Sequence, residues 1–162
     1  MRVLVAGIGN IFFADDGFGC EVAQLLAREP RAPDAKVEDF GIRGLHLAYE
    51  LLAGYDRAIL IDAAPRGGVP GTLYVIEPEV DVTGVAPDAH RMDVQNVFAF
   101  LRMLDGEPPP ITIVGCEPET TEPGMGLSAA VTGSIAPAAA LVRRLLDEQR
   151  AALVPQTSGG MP

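Results

Sequence analysis

Strand-like runs recur along the chain at Val3–Ala6, Val37–Phe40, Ala58–Ile61, Leu73–Ile76 and Ile111–Cys116, and most are continuous rather than alternating. Continuous apolar runs of this length predict strands buried on both faces, the signature of a parallel sheet covered on each side. Between them the period turns helical. Phe18, Val22, Leu25 and Leu26 fall on one helix face, with Asp15 or Asp16 available as N-cap and Pro30 as a stop. Leu45, Tyr49 and Leu52 make a second stripe that ends at Gly54, and Val94, Val97, Phe98, Leu101 and Leu104 make a third. A fourth helical stretch runs from Ser128 to about Arg150, where Pro137 either kinks the helix or opens its main segment. Strands alternating with helices predict an α/β domain built on a twisted, mostly parallel five-stranded sheet with helices on both faces. The direct step from Ile61 to Leu73, through Arg66-Gly-Gly68 and Pro70-Gly71, predicts an antiparallel edge strand.

Composition narrows this picture. A chain of 162 residues, 48% apolar and 21% charged, is long enough for one buried core and short for two. We expect a single domain over 1–150, with a disordered tail over 151–162 where the chain thins into Gln156-Thr-Ser-Gly-Gly160. The formal net charge of -10 argues against nucleic acid and against anionic membrane surfaces, since binding to phosphate rests on Lys and Arg. Cys20 and Cys116, the only cysteines, both sit in apolar context and form neither a disulfide framework nor a thiolate metal site. With no signal-peptide layout and no apolar run approaching a membrane span, the expectation is a cytoplasmic protein.

The densest chemistry lies at the start. The run Val3-Leu-Val-Ala-Gly-Ile-Gly-Asn10 breaks into glycines and an amide, then delivers Asp15 and Asp16 to the head of the first helix. Gly7 and Gly9 begin a dinucleotide fingerprint, but its third glycine would fall at Phe12, which weakens a pyrophosphate site. Adjacent carboxylates suit a cation better. In a parallel sheet, ligands bind beyond the carboxyl ends of the strands. Asp16 follows the first strand there, Asp62 terminates Ala58–Ile61, and His90 precedes the third helix. Two carboxylates and an imidazole with open positions form a set used by zinc, nickel or non-haem iron. Asp16 could equally cap its helix, and His90 could be a surface residue at a helix entry. Asp62 is harder to dismiss, because a carboxylate ending a buried strand must be paired, capped or functional.

Other residues compete poorly. His46 lies in the second helical stripe, where partial burial is the commoner fate. Ser128, Thr132 and Ser134 lack a Gly-x-Ser-x-Gly context. Cys116 precedes Glu117, and neighbouring acids raise a thiol pKa, which favours structural burial over nucleophilic use. Glu117-Pro-Glu-Thr-Thr-Glu-Pro123 reads as a surface loop on the functional edge.

Gly7-Ile-Gly-Asn-Ile11, Asp15-Asp16-Gly-Phe-Gly19, Ile59-Leu-Ile-Asp-Ala63, Pro70-Gly-Thr72, His90, Val114-Gly-Cys-Glu-Pro-Glu119 and Gly126-Leu-Ser128 occur in one order across nearly the whole chain. Together they resemble the hydrogenase maturation proteases, endopeptidases that trim the large subunit of nickel-iron hydrogenases. The resemblance implies an α/β fold with a central twisted sheet and a nickel-binding trio mapping to Asp16, Asp62 and His90. Relatives often carry Glu at the first position, so Asp16 is one methylene shorter. Many also carry Asp-Gly-Gly-Thr-x-Gly after the second strand, where this chain reads Asp39-Phe-Gly-Ile-Arg-Gly44. That change puts in doubt a catalytic role for Asp39 and points to a different large-subunit partner. Arg43 there could meet carboxylates of a substrate or simply face solvent.

The resemblance further implies a substrate, a large-subunit precursor that brings its own nickel, and no permanently bound metal in the enzyme. The metal could be catalytic or only a docking point. Three other functions share some of these residues. They are a self-contained zinc peptidase, a nickel-binding assembly chaperone that does not cleave, and a nucleotide-binding module using Gly7, Gly9 and Glu38 or Asp39.

Overall fold

The computed structural model describes residues 1–30, 33–78 and 93–153. His90 and the tail beyond Leu153 lie outside the described residues. Five strands, β1 (Val3–Ile8), β2 (Ala35–Gly41), β3 (Arg57–Ala63), β4 (Leu73–Ile76) and β5 (Ile111–Cys116), form one sheet in the order β2-β1-β3-β5-β4. Every pairing is parallel except that of β4 with β5, which makes β4 the antiparallel edge. All six residues of β1 and of β5 are buried, as their unbroken apolar runs require.

Alternation along the strands sorts the core into two layers. Leu4, Ala6 and Ile8 of β1, with Ala58 and Leu60 of β3, face α2 (Gly44–Leu51) and α3 (Val94–Met103). Val5, Ile59 and Ile61 face α1 (Phe18–Ala27) and α5 (Ile135–Leu153). The same alternation puts Asp62, two residues after Leu60, on the α3 side of the sheet's carboxyl edge.

The glycines that resemble a nucleotide fingerprint allow close packing. A Cβ on Gly7 would meet the Gly19 carbonyl oxygen at 2.3 Å, and one on Gly19 would meet the Ile61 oxygen at 2.0 Å. α1 therefore lies directly on β1 and β3, and only glycine fits the seam.

Several local expectations need correction. Neither Asp15 nor Asp16 caps α1: both belong to a 3-10 turn over Ala14–Gly17, and Gly17 takes the cap position with no side-chain hydrogen bond. In α2 the buried side is Gly44, Leu47, Ala48 and Leu51, while Leu45 and Tyr49 are exposed, so the stripe lies on a different face. The last helical stretch breaks at Gly133 and Ser134 into the short α4 (Ala129–Thr132) and α5, whose first turn contains Pro137. Proline opens this helix because the first-turn N–H groups have no helical partner anyway. By length and composition Ala129–Leu153 could cross a membrane. In the fold it instead buries Ala138, Ala139 and Val142 against the sheet, and its Arg143 and Arg150 pair with Glu29 and Asp34.

Candidate active site

Asp62 ends the buried part of β3, opposite Gly115 of β5, and is 4% exposed. Its Oδ1 is buried and has no hydrogen-bond partner. Burial pushes its carboxyl well above the ordinary range, the charges of Asp16 and Asp93 push the same way, and the Ala63 N–H opposes them. An unsatisfied buried carboxylate is expensive, on the order of several kcal/mol if it stays charged. A cation placed against Oδ1 would remove that penalty.

Asp16 reaches the same edge from the other side of the strand break. Its Oδ2 accepts the Asn10 N–H at 2.9 Å. Burial raises its carboxyl, the Asn10 bond lowers it, and Asp93 raises it again. The preceding residue has the opposite environment. Asp15 is fully buried and accepts the N–H groups of Glu119 (2.8 Å), Thr120 (3.1 Å) and Ser128 (2.7 Å), together with the Ser128 hydroxyl (2.9 Å). Burial alone would raise Asp15, but these bonds outweigh it and hold the carboxyl below its ordinary value. Asp15 ties the first loop to the loop after β5.

Asp62, Arg66, Ile113, Asp93 and Val94 line a cleft of about 450 Å³ beside this edge. Asp93 was not among the sequence candidates. It is the N-cap of α3, its Oδ1 accepting the Asn96 N–H at 2.9 Å, and its charge reaches both Asp16 and Asp62. An acid directly before the Val94 stripe was its available signal. Thus Asp16 and Asp62 are electrostatic neighbours, whereas His90 lies outside the described residues. Among the described residues no three His, Cys, Asp or Glu side chains cluster tightly enough to hold a metal ion.

Asp39, at the end of β2, has both oxygens engaged: Oδ1 accepts the Gly41 N–H and Oδ2 the Gln24 side-chain amide, each at 2.9 Å. Arg43 folds back on its own loop, donating to the carbonyls of Asp39 (2.7 Å) and Phe40 (3.2 Å). His46 is exposed rather than partly buried. Glu117 departs from the expected surface loop, since it is 4% exposed and accepts the Arg66 N–H at 2.7 Å. Both cysteines are buried and free. Desolvation raises the Cys20 and Cys116 thiols, with Asp39 adding to the first and Asp15 and Glu117 to the second against an opposing Ser134 bond. Neither suits a nucleophile.

Two acidic side chains at one sheet edge, one with an unsatisfied oxygen, offer donors of the hard kind that divalent cations take. Residues 20–145 match the family model described as hydrogenase maturation protease. The match spans Asp62 and His90 and begins just after Asp16. The chain is 30% identical to the hydrogenase 2 maturation protease of Escherichia coli, with 96% of this chain and 97% of that one covered. It is 35% identical to the hydrogenase expression/formation protein HupD of Bradyrhizobium diazoefficiens, over 91% of this chain and 79% of that one. The fold superposes on the hydrogenase maturating endopeptidase HybD from E. coli with a TM-score of 0.75 at 29% identity, covering 92% and 94% of the two chains. A hydrogenase 2 maturation peptidase from a Thaumarchaeota archaeon gives 0.71 at 30% identity, covering 91% and 99%.

Proposed function

Because the chain belongs to the hydrogenase maturation protease family, we propose that it is the endopeptidase that removes the C-terminal extension of a nickel-iron hydrogenase large-subunit precursor once nickel has been inserted. The observation that supports this most is the buried, partnerless Oδ1 of Asp62 beside Asp16 at the carboxyl edge of the sheet. Nickel is part of the substrate in this reaction. Asp16, Asp62 and His90 take hold of it, and the Asp62 carboxyl gains the cation that its burial otherwise denies it. The precursor's own ligands keep the ion in place, so the peptide bond just beyond them is presented at the same edge. Orientation accounts for much of the rate, and the adjacent cation supplies Lewis-acid chemistry. Asp39, with both oxygens occupied, serves as a brace between α1 and the turn after β2. The protein acts in the cytoplasm, consistent with its two unpaired cysteines.

A matched pair of precursors, nickel-loaded and nickel-free, at equal concentration and followed by product mass, tests this mechanism. We expect cleavage of the first alone, and added zinc should not rescue the second, because an ion not anchored by the precursor cannot position its peptide. Comparable cleavage of both would rule out metal sensing, while binding without any mass loss would leave an assembly chaperone. The isolated protein should hold divalent metal weakly. Stoichiometric zinc after chelator dialysis would mark a self-contained metallopeptidase.

A further inference from the structure

Ile11, Phe12 and Phe13 are three consecutive apolar residues that are 41%, 60% and 41% exposed, and Met125 is 72% exposed. Hydrogen bonds hold them together as one surface. Gly124 donates to the Phe12 carbonyl at 2.8 Å, Ala14 donates to the Gly124 carbonyl at 2.7 Å, and Phe13 and Gly124 form an isolated β-bridge. Ala14, at a left-handed φ of 49°, is held there by its bond to Gly124 and by the following Asp15 N–H, which donates to the Thr120 carbonyl at 3.1 Å. Exposed apolar side chains that cluster on a rigid frame mark an interaction surface more often than chance exposure does.

The neighbours of this patch indicate what covers it. Asn10, whose N–H binds Asp16, accepts the Phe12 N–H through its own Oδ1 at 2.9 Å, so the patch is continuous with the carboxylate site. A polypeptide brought to Asp16 therefore has this patch beside it. The rim is acidic: Glu119 and Glu122 are exposed in the loop that leads to Met125, on a protein of net charge -10. Apolar side chains inside an acidic rim fit a segment with an aliphatic or aromatic anchor flanked by Lys or Arg.

We propose that Phe12, Phe13 and Met125, with Ile11 beside them, form the docking surface for the part of the substrate precursor next to its scissile bond, gripping an apolar anchor while Glu119 and Glu122 meet basic residues around it. This rests on the substrate class given under Proposed function, and the test separates the two. Binding of nickel-loaded precursor is measured by titration calorimetry and cleavage by product mass, for wild type, Phe12→Ser with Met125→Ser, and Glu119→Gln with Glu122→Gln. The apolar double variant should bind about ten- to a hundredfold more weakly, with KM raised and kcat nearly unchanged, because burial of such side chains is lost while the chemistry is untouched. The Gln pair should weaken binding less and flatten its salt dependence. Unchanged binding and KM in the apolar variant, with normal wild-type cleavage, overturns the docking surface alone. Wild-type binding that the apolar variant loses, without cleavage by either, supports the surface and overturns the protease mechanism. Sedimentation adds a further arm: a wild-type dimer that the apolar variant converts to monomer shows that the surface is covered by a second copy, which also overturns the proposal.

Discussion

Asp15 and Asp16 are neighbours in the chain with opposite environments, and the contrast extends to Asp62. The Asp15 region is saturated: four donors converge on one buried carboxylate and join the first loop to the segment after β5. The Asp16–Asp62 region is unsaturated, with one backbone hydrogen bond to Asp16, an orphan oxygen on Asp62 and both carboxyls raised by burial and by the charge of Asp93, Asp16 adding to the rise at Asp62. In a fold that satisfies one buried aspartate so fully, an orphan oxygen on another calls for its own explanation, a catalytic role or an ion among them. The first region holds the loops in place, and the second is the one that the proposed function assigns to the substrate's cation.

The largest effect that tests this contrast is on activity. Asp62→Asn should reduce precursor processing by about a thousandfold or more, since the remaining amide is a poor partner for the ion. Its melting temperature should equal or exceed that of wild type, because a buried acid with one partnerless oxygen is removed. His90→Ala should match its activity loss. Normal cleavage by either variant would remove that residue from the site. Asp15→Asn should show the reverse pattern, losing about 2–4 kcal/mol of stability in denaturant titration, as expected when a charged acceptor with several donors becomes an amide facing those same donors. Its activity should fall only as far as its folded fraction falls.

The two carboxyls should also differ in sign with pH. Asp15 has a folded pKa below its unfolded value, so its stabilisation is present above about pH 4 and disappears as pH falls through the folded value. Asp62 has a raised folded pKa, so it destabilises the fold progressively as pH rises from about 4 toward that raised value. Stability profiles should therefore show Asp15→Asn losing the acid limb and Asp62→Asn gaining most at neutral pH and above. Parallel profiles for both variants would break the contrast. A smaller effect is expected at Asp39. Asp39→Ala, which removes the bonds from Gly41 and Gln24, should cost about 1–2 kcal/mol and leave kcat within tenfold. A loss as deep as that of Asp62→Asn would show that Asp39 takes part in the chemistry. Smallest of all, Arg43→Ala should change stability by less than about 0.5 kcal/mol and leave processing unaltered.

Much of the fold was legible in the order of residues. The runs from Val3, Ala58 and Ile111 gave buried parallel strands, and the short step across Pro70-Gly71 gave the antiparallel edge, because side-chain period and connection length are local properties. The α2 stripe misled because Leu45, Tyr49 and Leu52 share a helix face as readily as Leu47 and Leu51 do. Which face is buried depends on the sheet beneath it. Asp16 and Asp62 were legible as carboxylates at strand ends, while Asp93 was hidden in an ordinary capping position.

By itself, then, the sequence determined the five strands, the place of Asp62 at the end of the third, and a pattern of residues specific enough to indicate a protease family. Only the tertiary structure decided which of two adjacent aspartates is saturated and which is open. Hydrogen-bond donors for Asp15 come from residues more than 100 positions away, and the partnerless oxygen of Asp62 is defined by what the packed neighbours fail to offer. Satisfaction of a buried charge is a property of the assembled surroundings, and no local stretch of chain contains it.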